Sequence, residues 1–152
     1  MGFAIGAAIG ACLADPLRRV VAVIGDGGIA MSGLELLTAV RQRVNLTVIV
    51  FVDGAYGLIR SQQLATSGHA FGTEFSGPDV AALAAAVGAE HLRLHGDVDD
   101  VLRAALASPR VTLVEVAVGD TLPIHWMRAK SIARGMLPGS AKTWLRRVLR
   151  RG

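Results

Sequence analysis

The sequence has one cysteine, few aromatic residues and no hydrophobic run of membrane-spanning length. Cys12 is the only cysteine in 152 residues, which excludes a disulfide framework or a cysteine-built zinc site and favours a reducing, cytoplasmic compartment. No stretch reaches the roughly 18–20 apolar residues of a spanning helix. The apolar segment 2–14 has no basic residue before it, so we expect neither a secretory signal nor the lipoprotein cleavage box that residues 9–12 distantly resemble.

Charge is unevenly divided along the chain. Residues 1–120 hold 8 Lys and Arg against 12 Asp and Glu, whereas residues 121–152 hold 8 basic residues and no acidic ones. The mildly acidic body is not typical of a nucleic-acid-binding protein. With 52% hydrophobic residues, the chain is not a disordered or coiled-coil protein either. We therefore predict one domain over residues 1–120, followed by a basic tail over residues 121–152.

The body alternates predicted strands and helices. Helices are predicted over residues 2–14, 31–43, 80–87 and 98–107, and strands over residues 19–24, 46–52, 91–94 and 110–118. The first two strands are continuous apolar runs, a pattern typical of strands buried on both faces. The segment 53–77, rich in Gly, Ser and Thr, is predicted to be a loop. This alternation predicts a doubly wound α/β fold, with a mostly parallel sheet and helices on both faces.

Two acidic glycine turns follow the first two strands, where such sheets bind ligands. They are 25–28 (GDGG) and 53–57 (DGAYG). Three interpretations are open: a dinucleotide site, since residues 25–30 fit G-x-G-x-x-A with Asp53 as a ribose ligand; a clamp for a diphosphate and a metal ion; or two plain turns. Asp26 would repel a pyrophosphate directly, and Mg²⁺ is commonly held by one or two carboxylates plus substrate phosphates. The metal clamp is therefore favoured.

Four separated motifs resemble one enzyme family. Gly-Asp-Gly at 25–27 is followed some two dozen residues later by 52–57 (VDGAYG). The opening segment 1–11 is similar to the family's M-G-F-x-x-P-A-A-I-G-A helix, and 35–39 (ELLTA) to its E-L-x-T-A. Residues 77–118 resemble its closing helix–strand–helix–strand. Together these resemble the thiamine-diphosphate-binding domain of the acetolactate synthase, benzoylformate decarboxylase and pyruvate oxidase group, over about residues 1–120.

The resemblance implies a set of cofactor-binding residues in the two turns. Asp26 and Asp53 would be side-chain ligands of Mg²⁺, with the Ala55 carbonyl as a third. The other implied cofactor residues are Gly25, which allows the turn; Gly27 and Gly28, whose backbone meets the diphosphate; and Tyr56, Gly57 and Leu58, which flank the cofactor. Two positions depart from the family pattern, since Asp53 stands where Asn is usual and Gly28 where Ser is frequent. The first departure adds a negative charge to the site.

The resemblance also implies a function for the chain. It would be the cofactor-binding half of a thiamine-diphosphate-dependent 2-oxo acid decarboxylase or of an acetolactate-synthase-like carboligase, in a dimer or tetramer. The family's catalytic glutamate belongs to a pyrimidine-binding domain, so this chain would hold no catalytic residue and be inactive alone. We interpret it as N-terminally truncated or separately encoded. The alternatives are the second subunit of a two-chain, sulfopyruvate-type decarboxylase and a non-catalytic relic.

The remaining chemically notable residues indicate no second site. His91, His95 and His125 show no ligand spacing and are interpreted as structural or solvated. His69 lies in the loop after the second turn, where substrate could pass, and we favour a surface or loop-packing role for it. Cys12 is interpreted as a packed thiol. Residues 141–151 (AKTWLRRVLRR) would form a basic amphipathic helix. For that tail we favour packing over its own dimer, with peripheral membrane contact as the alternative.

Overall fold

A computed structural model describes residues 1–119, which form a parallel four-stranded sheet with helices on both faces. The strands are β1 (Val20–Gly25), β2 (Leu46–Val52), β3 (Glu90–Arg93) and β4 (Thr112–Ala117). The helices are α1 (Phe3–Ala14), α2 (Asp26–Ser32), α3 (Leu36–Arg41), α4 (Gly57–Ser67), α5 (Val80–Val87) and α6 (Val98–Ala107). The predicted fold class is confirmed. The predicted tail helix, the tail domain and His125 lie outside the described residues.

The described residues divide into two compact units. Residues 1–56 and 74–119 form the unit that contains the whole sheet, and Gly57–Thr73, which includes α4, falls in the second. No helix in the described part of the chain is long and apolar enough to cross a membrane.

The strand order determines on which face of the sheet each connecting helix lies. The order is β1-β2-β4-β3, so the chain moves one way across the sheet from β1 to β3 and turns back to reach β4. Because parallel crossovers are right-handed, the return connection through α6 takes the opposite face. We call the face opposite α6 the first face and the face that α6 covers the second. The main core lies on the first face, where Val48 and Val50 of β2 pack with Ile5 of α1 and Leu36 of α3.

The second face is only partly covered, which corrects the prediction that β1 is buried on both sides. Val21 and Val23 are 45% and 57% exposed, and Phe51 of β2 is 40% exposed. Within the described residues β1 lies at one edge of the sheet, whereas α6 packs on β4 and β3 towards the opposite edge. An unbroken apolar run therefore does not show that a strand is buried on both faces.

The prediction differs most from the structure in two segments. The helix predicted from residue 31 begins at Asp26 and is interrupted by a 3-10 turn, Gly33–Glu35. That turn lies where Gly33 approaches Leu83 of α5 so closely that an added Cβ would be 3.0 Å from Leu83 Cδ2. The predicted loop 53–77 contains α4, because helix-forming residues such as Leu and Gln lie among its glycines and serines.

The boundaries of α5 were predicted correctly. The Asp79 side chain accepts a hydrogen bond from the Ala82 N–H at 2.9 Å, as an N-cap does. Gly88 ends the helix with φ 77°, a conformation that favours glycine. Local signals were sufficient at this element.

Candidate cofactor site

The carboxyl ends of β1 and β2 lie side by side at one end of the sheet. The parallel register pairs Gly25, the last residue of β1, with Phe51 of β2. α2 begins directly at Asp26, whereas β2 is followed by a turn before α4 begins. The structure therefore brings together the two motifs that are some two dozen residues apart in sequence.

The Asp26 carboxylate joins these motifs. The side chain is buried, with 2% exposure. Its Oδ2 accepts hydrogen bonds from the Gly54 N–H at 2.8 Å and the Asp53 N–H at 3.2 Å, and its Oδ1 accepts one from the Gly27 N–H at 2.7 Å. Burying a carboxylate is unfavourable unless it is hydrogen-bonded or paired, and these three backbone donors supply part of that compensation.

Asp53 shapes the second turn. Its Oδ1 accepts a hydrogen bond from the Ala55 N–H at 3.1 Å, an arrangement typical of Asp in turns. Gly54 has φ 68°, where a residue with a side chain would be strained. Asp53 itself is exposed, whereas Ala55 is buried. The local sequence thus explains the turn without any contribution from a ligand.

Glycines 27 and 28 are required by close packing. An added Cβ on Gly27 would lie 2.7 Å from Tyr56 Cε1, and one on Gly28 would lie 2.7 Å from Ile24 Cγ1. Such contacts are too short for a real side chain. Both positions therefore need glycine already for the packing of α2 against its neighbours.

Sequence analysis missed the segment 74–77, which contacts both motifs. The Phe75 N–H donates to the Gly54 carbonyl at 3.1 Å, and the Phe75 ring stacks on Tyr56 with 4.7 Å between ring centroids. An added Cβ on Gly77 would lie 3.3 Å from Asp26 Oδ2. The sequence indicates this contact only weakly, because Phe75 is a single aromatic residue in a segment that is predicted to be a loop.

The residues present fit a magnesium ion that is shared with a bound phosphate. Within residues 1–119 there is no group of three or more His, Cys, Asp or Glu side chains that could hold a metal ion unaided. Mg²⁺, however, is usually bound by one or two carboxylates together with phosphates and water. A carboxylate can accept about four hydrogen bonds, so Asp26 keeps acceptor capacity after its three N–H bonds. No ion pair among the described residues involves Asp26.

Gly57 and Leu58, also predicted to flank the cofactor, form the start of α4 in the second compact unit. Leu58 is 58% exposed. Their role at the site stays a prediction.

Two histidines of the described chain, His69 and His91, make local contacts. His91 Nε2 lies 2.9 Å from Glu115 Oε2, and Arg93 forms an ion pair with the same carboxylate at 3.3 Å. His69 Nδ1 lies 3.0 Å from the Ser67 carbonyl. These contacts agree with the structural role expected for His69 and His91.

Cys12 is a packed thiol, as predicted. It is 1% exposed and its Sγ donates to the Asn45 carbonyl at 3.5 Å. Loss of hydration on burial raises the pKa of the Cys12 thiol above its ordinary value. The thiol is therefore held in its neutral, less reactive form.

Comparisons with known proteins match most of the chain to one family. The family described as "Thiamine pyrophosphate enzyme, C-terminal TPP binding domain" matches residues 1–116. The chain is 35% identical to the acetolactate synthase of Bacillus subtilis (strain 168) over 120 residues, which is 78% of this chain and 21% of that protein. It is 43% identical to the catabolic acetolactate synthase of Raoultella terrigena over 89 residues, 59% of this chain and 16% of that protein.

A third relative covers more of the chain. The putative thiamine pyrophosphate-containing protein YdaP of Bacillus subtilis (strain 168) is 30% identical over 143 residues, 90% of this chain and 25% of that protein. The chain thus spans a quarter or less of the length of these relatives. The resemblance noted from the four motifs is confirmed. The chain belongs to the thiamine pyrophosphate enzyme family and carries its C-terminal cofactor-binding domain.

Proposed function

We propose that this chain binds the diphosphate of thiamine diphosphate through Mg²⁺, as the cofactor half of an acetolactate-synthase-like enzyme that acts on 2-oxo acids. The observation that carries the proposal is the buried Asp26 carboxylate, which is hydrogen-bonded to the Asp53 turn and has no cationic partner among the described residues. A divalent cation at this carboxylate would both neutralise it and attract a diphosphate.

Each residue of the site has a separate role in the proposal. Asp26 and Asp53 supply carboxylate oxygens to the metal, and the Ala55 carbonyl supplies a third oxygen. Gly27 and Gly28 keep side chains away from the diphosphate. Bound thiamine diphosphate supplies a carbon nucleophile for the carbonyl of a 2-oxo acid. The protein residues bind and orient it, and the metal anchors the cofactor rather than activating water.

The family assignment favours this proposal over a dinucleotide site. A dinucleotide bound without metal would also place its pyrophosphate near the Asp26 carboxylate, with no cation between the two charges. We propose that a pyrimidine-binding domain, on another chain or on another part of this protein, completes the enzyme in a dimer or tetramer.

Calorimetric titration of the full chain tests the proposal. We expect thiamine diphosphate to bind in the presence of Mg²⁺ and to lose its binding when EDTA removes the metal. In Asp26→Asn, the loss of a charged acceptor and metal ligand should weaken binding by about 100-fold. Asp15→Asn is the matched control, because the Asp15 side chain forms an exposed ion pair with Arg18 and lies outside the two turns. Metal-independent binding of NAD, without binding of thiamine diphosphate, would contradict the proposal.

A further inference from the structure

The segment 74–77 connects to the Asp53 turn through its backbone. Besides the hydrogen bond from the Phe75 N–H to the Gly54 carbonyl at 3.1 Å, Glu74 and Ala55 form an antiparallel bridge. Gly54 and Ala55 directly follow Asp53. Of the two N–H groups in that turn that donate to Asp26 Oδ2, the Gly54 N–H forms the shorter hydrogen bond, at 2.8 Å. The segment, which comes after α4 in the sequence, therefore supports the turn through backbone contacts.

The side chain of Phe75 supports the same turn through Tyr56. The two rings lie 4.7 Å apart between centroids, with 32° between their planes. The position of a Cβ added to Gly27 would be 2.7 Å from Tyr56 Cε1 and 3.5 Å from Phe75 Cζ. Both rings thus pack on the backbone of Gly27, the residue next to Asp26. Tyr56 contacts both Gly27 and Phe75.

We propose that Phe75 is a positioning residue of the cofactor site, which holds Tyr56 on Gly27 and thereby keeps the Asp53 turn in register with Asp26. The inference rests on the proposed function, because it concerns binding of thiamine diphosphate with Mg²⁺ at this site. Phe75 makes no contribution as a ligand. Its effect comes from ordering the turn in advance, since ligands bind more tightly to groups that are already fixed.

Substitution of Phe75 gives the first test, by calorimetric titration of the full chain with thiamine diphosphate and Mg²⁺. Phe75→Leu removes the ring and should weaken binding roughly three- to tenfold, the range that corresponds to the loss of one aromatic pair. Phe75→Tyr keeps the ring and should bind within about twofold of the unaltered chain. The matched control is Phe71→Leu, since Phe71 is 85% exposed.

The sole tyrosine gives a second readout that needs no ligand. Tyr56 is the only tyrosine in the chain, so selective labelling reports its ring alone in an NMR spectrum. Phe75→Leu should remove the ring-current shift that Phe75 imposes on Tyr56, and Phe71→Leu should leave that resonance in place. An unchanged Tyr56 resonance in Phe75→Leu would overturn the inference.

A double-substitution cycle separates positioning through Tyr56 from general loss of packing. If Phe75 acts through Tyr56, the double variant Tyr56→Leu/Phe75→Leu should bind within about twofold of Tyr56→Leu alone, because coupled residues are not additive. If the losses of binding free energy in Tyr56→Leu and Phe75→Leu add fully in the double variant, the inference is overturned. Phe75→Met, which replaces the ring by a flexible apolar side chain that can fill irregular space, repeats the test should Phe75→Leu fail to fold.

The outcomes distinguish the inference from the proposed function. No binding of thiamine diphosphate and Mg²⁺ by the unaltered chain overturns the proposed function, and the inference with it. Metal-dependent binding that is equally tight in the unaltered chain, Phe75→Leu and Phe75→Met overturns the inference and leaves the proposed function in place.

Discussion

At the scale of single residues, Asp26 has the most demanding environment. A buried carboxylate that accepts three backbone N–H groups is held firmly in place, and it links the end of β1 to the turn that follows β2. Asp53 differs, because it is exposed and hydrogen-bonded only within its own turn in the contacts described for it. We therefore expect substitutions of Asp26 to weaken both folding stability and cofactor binding. Substitutions of Asp53 should mainly weaken metal binding.

Cys12 leads to a pH-dependent prediction. Burial raises the pKa of the thiol in the folded chain above its ordinary value of 9.0. The raised pKa means that the neutral thiol stabilises the fold below about pH 9, and that this contribution is lost as the pH rises through the folded-state pKa. Denaturant unfolding between pH 7 and pH 10.5 should therefore show the unaltered chain losing more stability than Cys12→Ala. Parallel pH profiles for the two proteins would contradict this expectation.

At the scale of secondary-structure elements, Arg19 fastens α6 to the sheet. Its guanidinium donates to Thr47 Oγ1 at 2.9 Å, to the Ala105 carbonyl at 3.2 Å and to the Ser108 carbonyl. The last two are carbonyls at the end of α6, which lack partners within the helix. One arginine before β1 thus satisfies the carboxyl-terminal end of a helix more than 80 residues later.

Arg19→Lys should destabilise the protein, because an ammonium group cannot reproduce the forked donor geometry of a guanidinium. We expect the free energy of unfolding to fall by about 1–2 kcal/mol, since bonds to a charged donor are lost. Arg18→Lys is the adjacent control, and it should change stability by less than about 0.5 kcal/mol because its ion pair with Asp15 is exposed. Equal effects of the two substitutions, measured by denaturant unfolding, would show that Arg19 does not fasten α6.

At the scale of the whole molecule, the chain is expected to bind its cofactor without turning over substrate. The proposed site consists of groups that would bind a diphosphate and a metal ion, and the family resemblance assigns the catalytic glutamate to a different domain. In addition, the apolar residues Val21, Val23 and Phe51 are exposed. Part of the second face of the sheet is therefore uncovered within the described residues.

The corresponding prediction concerns activity of the isolated chain. With thiamine diphosphate and Mg²⁺ present, we expect calorimetry to detect binding while an assay of pyruvate disappearance detects no turnover. Addition of a chain that carries the pyrimidine-binding domain is the positive control, and turnover should then appear if the two domains assemble. Pyruvate consumption by the isolated chain would contradict the expected division of the site between domains.

The order of strands and helices along the chain could be predicted from the sequence, and so could the meeting of the two acidic turns at one end of the sheet. Apolar runs, glycine stops and the Asp79 cap are local signals, and they were sufficient to predict four strands and most helix positions. The pair of acidic turns could be placed together for a general reason, because parallel strands bring their carboxyl ends to one end of a sheet. The family followed from motif order.

Other features depend on contacts between residues that are distant in the chain, and only the tertiary structure decided them. The start of α2 at Asp26, the break at Gly33 beside Leu83, and the exposure of Val21 and Val23 are of this kind. The contact of Phe75 with Tyr56 is another. Residue type and spacing specify what a segment prefers, whereas packing determines which neighbour it meets and how much of it stays exposed.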